Sequence, residues 1–477
     1  MKRAVLCVLV LLGARAAAAQ DAGAVLAAAE RAMGIVGLSS IQFSGSGASY
    51  FVGQAPAPGG PWLRYTLRAY TADINYMAAA MRQELDRVQG ETGVPFGGIK
   101  QAWFVSGKVA WNVNGPAPAA TYRDPSGLKT ADQRNLEIWL SAPGFIKAAK
   151  AGKATARKQG ANTVVTVITP EGARLTGVLN ASHLLERTEG ALDNPVVGDM
   201  TITMAFADYR RFGDVMFPGK IVETIGGHPA LELTVSGVTP NGDAGVGDVP
   251  AVAQVAPVVA VTSEKVGDGV WYLTGGSHHS LLVEFTDHLV VIEAPQDEAR
   301  SIAVLAEIHR LVPGKPIRYV VNTHHHFDHL AGLRTYAAEG ATVISAKASQ
   351  PYYEQALNAP HTIAPDRLAK AGKKVKVEGV DGKRVLTDGT QTIELYVVTM
   401  ATHAEAMVVP YMPKAKLIVQ ADLTVTLPPN APTPAPANPV AVEFYDAIQS
   451  RTLDVARIAG IHGRISSWTE LLAAAGK

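Results

Sequence analysis

Cysteine is almost absent from this sequence. Among the 477 residues the only cysteine is Cys7, which lies in the apolar segment at the start of the chain. The rest of the chain therefore forms no disulfide bond, and it tolerates an oxidising compartment. It also offers no thiolate ligand, so any metal site there must use histidine and carboxylate side chains.

An excess of charge of either sign is also missing. The chain has 43 Lys and Arg residues against 42 Asp and Glu residues, a net charge of +1. Without residues 1–19, which contain three basic residues and no acidic one, the balance becomes 40 minus 42, or −2. No basic stripe remains to neutralise a phosphate backbone, so we expect no nucleic-acid partner.

Long apolar runs are confined to the start of the chain. An almost wholly apolar run over residues 4–12 follows two basic residues, and alanine fills positions 16–19. This pattern predicts a secretory signal peptide at residues 1–19, cleaved after Ala19, and hence a periplasmic or secreted protein. A short membrane anchor is the alternative, but the run is too short to span a bilayer. No later stretch suits a transmembrane helix, so we expect no stable membrane insertion.

What the sequence does contain is a dense group of histidines. Residues 322–332 read Asn-Thr-His-His-His-Phe-Asp-His-Leu-Ala-Gly, and His324, His326, Asp328 and His329 form the pattern H-x-H-x-D-H. Since 13 of the 477 residues are histidine, a chance match at four fixed positions is on the order of one in a million per window. Burying these groups without partners would be costly, whereas imidazole nitrogen and carboxylate oxygen are good zinc ligands. The motif therefore predicts a site for a pair of divalent metals.

Each candidate ligand directly follows a short apolar segment. The motif comes after residues 317–321, which read as a buried strand. Three further apolar segments end just before His403, Asp422 and His462. Because binding loops gather at the C-terminal ends of strands in layered α/β folds, we expect these side chains to meet.

On these residues, the region 262–477 resembles the metallo-β-lactamase superfamily of αββα hydrolases. The family's first motif matches the H-x-H-x-D-H run, and its second ligand segment matches Thr402 and His403 before an apolar strand. Its bridging carboxylate matches Asp422, and its final ligand matches His462 in an Ile-His-Gly sequence.

The resemblance implies a ligand set and a mechanism. The implied ligands are His324, His326 and His403 for the first metal, Asp328, His329 and His462 for the second, and Asp422 shared between them. The implied cofactors are two Zn²⁺ ions, with other divalent metals possible. A hydroxide between the metals would be the nucleophile at neutral pH. Asp328 would be the catalytic residue that orients it and passes a proton to the leaving group.

The substrate class follows less directly. The lack of a cysteine ligand argues against the β-lactamase subclasses that use one, and Asp422 resembles the arrangement in lactonases, glyoxalase II enzymes and phosphodiesterases. We therefore expect a secreted or periplasmic dinuclear zinc hydrolase that cleaves an ester, lactone or related acyl bond of a small-molecule substrate. Hydrolysis of β-lactams, or of phosphodiesters or sulfate esters, is an alternative. A non-catalytic binding protein that keeps a metal site is another, although a vestigial site usually lacks a ligand. The oligomeric state stays open.

Residues 20–245 have a different sequence pattern from the metal-binding region. Short alternating or apolar segments punctuated by Gly and Asn predict antiparallel strands, and residues 135–150 predict one or two short helices broken at Pro143-Gly144. Three segments resemble the curved sheets of periplasmic lipoprotein-carrier proteins, namely 194–199, 209–212 and 217–221.

The predicted fold class is α/β, with two domains. An αββα metallo-β-lactamase sandwich at 262–477 follows a separate antiparallel β-rich domain at 20–245. Residues 246–261, rich in Gly, Ala, Pro and Val, form the predicted linker. A fragment that starts near residue 255 should then carry the whole catalytic set.

Three other features concern the surroundings of the site. His278 and His279 lie between strand-like runs, either in a surface hairpin or in a loop that edges the metal site. The proline-rich segment 428–436 is either a rigid surface connection or a wall of the substrate pocket. His325 is expected to point away from the metals.

Overall fold

The computed structural model describes residues 19–89, 99–114, 118–120, 129–255, 258–423 and 436–477. The predicted signal peptide, apart from Ala19, lies outside the described residues, and so does nearly all of the proline-rich segment 428–436. Within the described part of the chain, no helix combines the length and apolar character needed to cross a membrane.

The first region is built almost entirely from antiparallel strands. Its described strands are β1 (Ala19–Gln20), β2 (Ser40–Phe51), β3 (Leu63–Asn75), β4 (Ala80–Gln89), β5 (Ile99–Ser106), β6 (Val109–Val113), β7 (Pro118–Ala120), β8 (Lys153–Gln159), β9 (Asn162–Ile168), β10 (Arg174–Leu179), β11 (Leu185–Asn194), β12 (Gly198–Ala207), β13 (Arg210–Phe212), β14 (Val215–Phe217), β15 (Lys220–Ile225) and β16 (His228–Pro240). Strands β13 and β14 pair with each other, and the other fourteen form one sheet in the order β1-β8-β9-β10-β11-β12-β15-β16-β2-β3-β4-β5-β6-β7.

Alternating side chains explain why this sheet has one buried face. In β12, Met200, Ile202, Met204 and Phe206 are buried, and the residues between them are more exposed. Successive side chains of a strand point to opposite faces, so this period of two directs the apolar set to the core.

Three helices cover the buried face of the sheet: α1 (Ala22–Ala32), α2 (Thr130–Leu140) and α3 (Ala142–Ala151). The predicted helical segment 135–150 is indeed two helices, but the break falls at Ser141 and not at Pro143-Gly144. The Ser141 hydroxyl caps α3 by accepting a hydrogen bond from the Gly144 backbone N–H. Proline is tolerated in the first turn of a helix, because its missing N–H would have no partner there.

The second region contains two facing sheets. Its described strands are β17 (Thr262–Gly267), β18 (Val270–Thr274), β19 (Ser280–Glu284), β20 (Leu289–Ile292), β21 (Ile317–Val321), β22 (Thr342–Ala346), β23 (Val377–Val380), β24 (Lys383–Thr387), β25 (Thr392–Met400), β26 (Ala404–Met412), β27 (Leu417–Gln420), β28 (Arg457–Gly460) and β29 (Ile465–Ser467). Strands β17 to β23 form one sheet and β24 to β29 the other, each in chain order. Neighbours from β20 to β23 are parallel, as are β27 and β28.

Helices cover the outer faces of both sheets. The described helices are α4 (Glu298–Leu311), α5 (Phe327–Leu330), α6 (Leu333–Glu339), α7 (Gln350–Ala356), α8 (Arg367–Lys370), α9 (Pro439–Gln449) and α10 (Trp468–Ala474). Side chains such as Ile292 and Val419 fill the core between the sheets. Phe444 of α9 and Leu471 of α10 pack on the second sheet, and Leu305 of α4 packs on the first. The layers are therefore helix, sheet, sheet, helix, and the predicted fold class is confirmed.

The two regions pack against each other. One apolar cluster contains Trp62 and Val196 from the first region and Phe327 and Tyr353 from the second. Polar contacts join them as well, since the Asp199 carboxylate accepts hydrogen bonds from the backbone and hydroxyl of Thr362. The large sheet ends at residue 240 and the first facing sheet starts at 262, on either side of the predicted linker.

Candidate metal centre

The structure places the predicted ligands at one edge of the two facing sheets. The H-x-H-x-D-H segment runs from the end of β21 into α5, and His403 lies in the turn between β25 and β26. Asp422 follows β27 and His462 follows β28. The ends of neighbouring strands therefore bring together side chains that are up to 138 positions apart, from His324 to His462.

One group of donors consists of His324, His326, His403 and Asp422, whose potential ligand atoms lie within 4.8 Å of one another. His403 Nε2 is 3.1 Å from His324 Nε2. Asp422 Oδ2 is 3.1 Å from His403 Nε2 and 3.4 Å from His324 Nε2.

A second group consists of His278, Asp328, His329 and His462, within the same limit of 4.8 Å. His462 Nε2 is 3.3 Å from His329 Nε2, and His278 Nε2 is 3.3 Å from Asp328 Oδ2. Asp422 also reaches this group, because its Oδ2 is 3.1 Å from His329 Nε2 and its Oδ1 is 2.8 Å from His462 Nε2. One carboxylate thus contacts both groups.

The protonation of these groups suits cation binding. Burial, reinforced by neighbouring imidazoles, lowers the pKa of His324 and His326 well below its ordinary value, so both rings are neutral. Burial alone would raise the pKa of Asp422, but His329 and the hydrogen bonds of nearby imidazoles hold it well below its usual range. The neutral rings of His324 and His326 beside an ionised Asp422 are the protonation states that a divalent metal requires. Burial alone would lower the pKa of His329, but Asp422 and Asp328 raise it well above its ordinary value, so a metal at this ring would have to displace a proton.

An unpaired ring nitrogen of His326 also fits a metal. Among the described residues, the buried Nδ1 atom of His326 has no hydrogen-bond partner. His326 Nε2 donates to the Ala55 carbonyl at 3.0 Å, which leaves Nδ1 as the lone-pair nitrogen. A hydrogen bond on one ring nitrogen commonly fixes the other as a metal ligand. The residues present therefore fit a pair of divalent ions.

Backbone strain marks the same place. Asp422, Glu293 and Gln296 have φ angles of +64°, +73° and +72°, a region that non-glycine residues avoid. Such strain persists only where the surroundings enforce it, and it is often associated with function.

Glu293 is a site residue that the sequence reasoning missed. It is fully buried, it accepts a hydrogen bond from Thr323 Oγ1 at 2.6 Å, and its Oε2 is 3.6 Å from His329 Nδ1. It thereby helps to orient the segment that carries His329. A signal for it existed, because Glu293 directly follows the apolar strand β20, as the candidate ligands follow theirs.

His278 belongs to the site and not to a surface hairpin. Its ring centroid is 3.9 Å from that of His462, and its side chain is only 12% exposed. Arg300, itself buried, donates to the carbonyl oxygens of Gly275 and His278 and so holds this loop in place. His279 points elsewhere, with Nε2 at 2.8 Å from the Gly463 carbonyl.

The first region also reaches the metal ligands, through residues 53–56, which we call the β2 extension. Gln54 Nε2 donates to Asp328 Oδ1 at 2.7 Å. The Ala55 carbonyl accepts from His325 and His326, and the Gly53 carbonyl accepts from the Phe327 backbone N–H. His325 therefore points away from the two donor groups, towards the β2 extension. No histidine, cysteine or carboxylate marks this segment in the sequence.

An αββα sandwich with two adjoining groups of histidine and aspartate defines a metal-binding domain of the metallo-β-lactamase type. Residues 273–457 match the family model described as the metallo-beta-lactamase superfamily. This part of the chain belongs to that superfamily.

Similar solved structures cover just under half of the chain. One is a metallo-beta-lactamase from Pontibacter korlensis, 20% identical, with a TM-score of 0.34, covering 45% of this chain and 97% of its own. Another is the DIM-1 metallo-beta-lactamase exposed to ceftazidime, 16% identical, with a TM-score of 0.34, covering 46% and 95%. No curated protein matches the chain. The comparisons do not support a likeness of the first region to lipoprotein-carrier proteins, which stays a prediction.

Proposed function

We propose that this protein is a dinuclear zinc hydrolase that cleaves an ester, lactone or related acyl bond of a small molecule, in the periplasm or outside the cell. The observation that carries the proposal is the position of Asp422. Its carboxylate lies 2.8–3.4 Å from four imidazoles that belong to two donor groups. One carboxylate shared in this way supports two metal ions side by side.

Zinc at this position would supply a water of lowered pKa and a Lewis acid for a carbonyl oxygen. The chain's own residues would handle the proton that the leaving group needs. Asp328 Oδ1 accepts from Gln54, which leaves Oδ2, 3.3 Å from His278, as the oxygen that can hold a proton. A carboxyl group fixed at both ends is well placed to pass that proton to a leaving group.

The choice of substrate class rests on the ligand chemistry. The only cysteine, Cys7, precedes all of the metal donors, so a carboxylate takes the place that a thiolate occupies in some β-lactamases. This supports acyl substrates such as lactones and esters. Location outside the cytoplasm is supported by the signal-peptide pattern of residues 1–19.

Metal content tests the dinuclear assignment. We expect two zinc ions per chain in zinc-replete protein, and about one in each of His403→Ala and His462→Ala, since each variant removes a ligand from one group. His309→Ala is the matched control, because His309 is exposed on α4 and its loss should leave two ions. Elemental analysis that finds at most one ion in the unmodified protein contradicts the assignment.

Turnover tests the reaction class. The zinc-loaded protein should hydrolyse chromogenic aryl esters and simple lactones faster than a chromogenic cephalosporin, a bis-aryl phosphate or an aryl sulfate. Faster cleavage of one of the last three would reassign the substrate class. Two bound metals with no turnover of any substrate would instead support a non-catalytic binding protein.

A further inference from the structure

A polar cavity of about 300 Å³ lies inside the first region, and none of the candidate metal ligands lines it. One wall is the buried face of the large sheet, with Arg87, Trp103 and Glu223. The opposite wall is helix α2, with Gln133 and Glu137. The cavity is within the size range of small-molecule sites.

Several buried polar atoms in this cavity lack partners. Among the described residues, Arg87 Nε and Trp103 Nε1 are buried without a hydrogen bond, and so are Glu223 Oε1, Ser49 Oγ and Gln133 Oε1. Folded proteins pair nearly all of their buried polar groups, since each unpaired group costs about 1–3 kcal/mol. Five unpaired atoms around one cavity point to a bound molecule.

The guanidinium of Arg87 is held by neighbouring side chains, but not all of its N–H groups have a hydrogen-bond partner. It lies 4.7 Å from the Tyr65 ring centroid and 5.4 Å from that of Trp103. Its Nη2 donates to Gln101 Oε1 at 2.8 Å. No described carboxylate contributes to its electrostatic environment, and its side chain is 8% exposed. A buried cation without a counter-ion favours an anionic ligand.

The other groups also favour a ligand that accepts hydrogen bonds. The indole N–H of Trp103 can only donate. Burial, with Glu137 close by, raises the pKa of Glu223 well above its ordinary value, so this carboxyl is neutral and can donate as well. Gln133 Oε1 and the Glu137 carboxylate offer acceptors in the same cavity, yet Arg87 Nε and Trp103 Nε1 still lack one.

The rest of the cavity is apolar. Leu85, Ile225 and Leu231 line it, and a smaller apolar space of about 40 Å³ adjoins it and shares Tyr70, Glu223 and Leu231. A ligand that fits would have one charged end and an apolar body.

We propose that this cavity binds a small organic monocarboxylate. Its carboxylate would accept hydrogen bonds from Arg87 Nε and Trp103 Nε1, and its apolar body would contact Leu85, Ile225 and Leu231. The bound molecule would lie beside β2, whose residues Ser49–Phe51 line the cavity and which leads into the β2 extension at the metal centre. The proposal does not rest on the proposed hydrolase activity.

Calorimetric titration of the full-length, zinc-loaded protein with hexanoate tests the proposal, with hexanamide as the neutral probe of the same shape. Hexanoate should bind with a stoichiometry near one, and hexanamide should bind at least about tenfold more weakly. Absence of hexanoate binding up to about 10 mM overturns the proposal and means that the cavity holds water alone.

Two variants place the binding site. Arg87→Met removes the charge, and Trp103→Phe removes the indole N–H but keeps an aromatic ring. Each should weaken hexanoate binding at least about tenfold. Arg68→Met is the matched control, because Arg68 is exposed and paired with Asp86, and it should change nothing. If Arg87→Met fails to fold, Trp103→Phe alone decides. Hexanoate affinity within twofold of the unmodified protein in the folded variants places the binding elsewhere, such as on the zinc ions, and overturns the proposal.

Discussion

The two regions of this protein bury polar groups in opposite ways. In the second region several imidazoles, with His324 and His326 neutral, surround the ionised carboxylate of Asp422, an arrangement that calls for cations. In the first region the unpaired groups are mainly donors, led by the Arg87 guanidinium and the Trp103 indole, which call for an anion. The chemistry of an unpaired buried group, and not burial alone, therefore indicates what kind of ligand binds to it.

The boundary between the sheets is not the boundary of the metal centre. All seven predicted ligands follow strands of the two facing sheets, yet the β2 extension of the first region contacts Asp328 and His326. Four predictions sharpen this comparison, two within a single region and two across the contact between the regions, starting with the largest expected effect.

The largest effect should come from within the second region alone. Asp328→Asn should lower kcat by about 10²–10⁴-fold, because an amide cannot take a proton and is a weak metal ligand. Steady-state kinetics with an aryl ester, together with a melting curve, measures this. Asp381→Asn, at an exposed position of the same region, serves as the control and should keep full turnover. Turnover of Asp328→Asn within about threefold of the unmodified protein rules out the assigned role.

A substitution in the first region should disturb the metal centre next most strongly. Gly53 has φ +81°, and a Cβ there would lie 2.7–2.9 Å from side-chain atoms of Phe327. Gly53→Ala should therefore push the β2 extension off the ligand segment and lower kcat by about tenfold or more, since small misplacements are costly in catalysis. Gly37→Ala shares the strained backbone, at φ +72°, but meets no atom within 4 Å. Gly37→Ala should lose about 1 kcal/mol of stability or somewhat more, and Gly53→Ala should lose more than that because of the contact with Phe327. Equal kcat values in the two variants would separate the regions functionally.

Removal of a single contact between the regions should have a smaller effect. Gln54→Ala removes the hydrogen bond to Asp328 and should lower kcat about three- to tenfold with little change in KM, since an orienting bond is worth about 1 kcal/mol. Gln42→Ala removes a bond of the same type and length, 2.7 Å, to Asp73. The two variants should melt alike and differ in kcat. If the loss of kcat is the same in both, Gln54 has no special role.

The smallest effect concerns stability in the first region. Burial raises the pKa of Glu223 well above the unfolded value, so the folded state binds the proton more tightly. This contribution is complete below about pH 4.5 and is lost as the pH rises through the folded pKa. Glu223→Gln imitates the neutral acid, so its melting temperature should exceed that of the unmodified protein by a few degrees at pH 8, and the difference should shrink towards pH 5. A difference that is constant with pH would contradict a neutral Glu223.

Most of what could be predicted from the sequence came from patterns within short segments of the chain. The strand periodicities predicted a β-rich first region and a short apolar strand before each ligand, because such patterns lie within a few consecutive residues. The seven candidate ligands were readable for the same reason, since imidazole and carboxylate groups at strand ends are rare and costly without a metal. The αββα fold of the second region was implied by the resemblance that the ligand motifs carry. The position of the helix break was harder, because Pro143 fits the first turn of α3 as well as it fits an interruption.

Only the tertiary structure decided which other residues lie beside the seven candidate ligands. His278 could equally have lain in a surface hairpin until its loop was placed against His462. Gln54 is 274 positions away from Asp328, and its neighbours Gly53 and Ala55 carry no functional side chain. The contact arises because β2 of one region ends against α5 of the other, and the Ala55 carbonyl then acts through the backbone, which every residue possesses. A pattern of side chains can predict ligands, whereas contacts made by the backbone between distant elements follow from how the two regions pack.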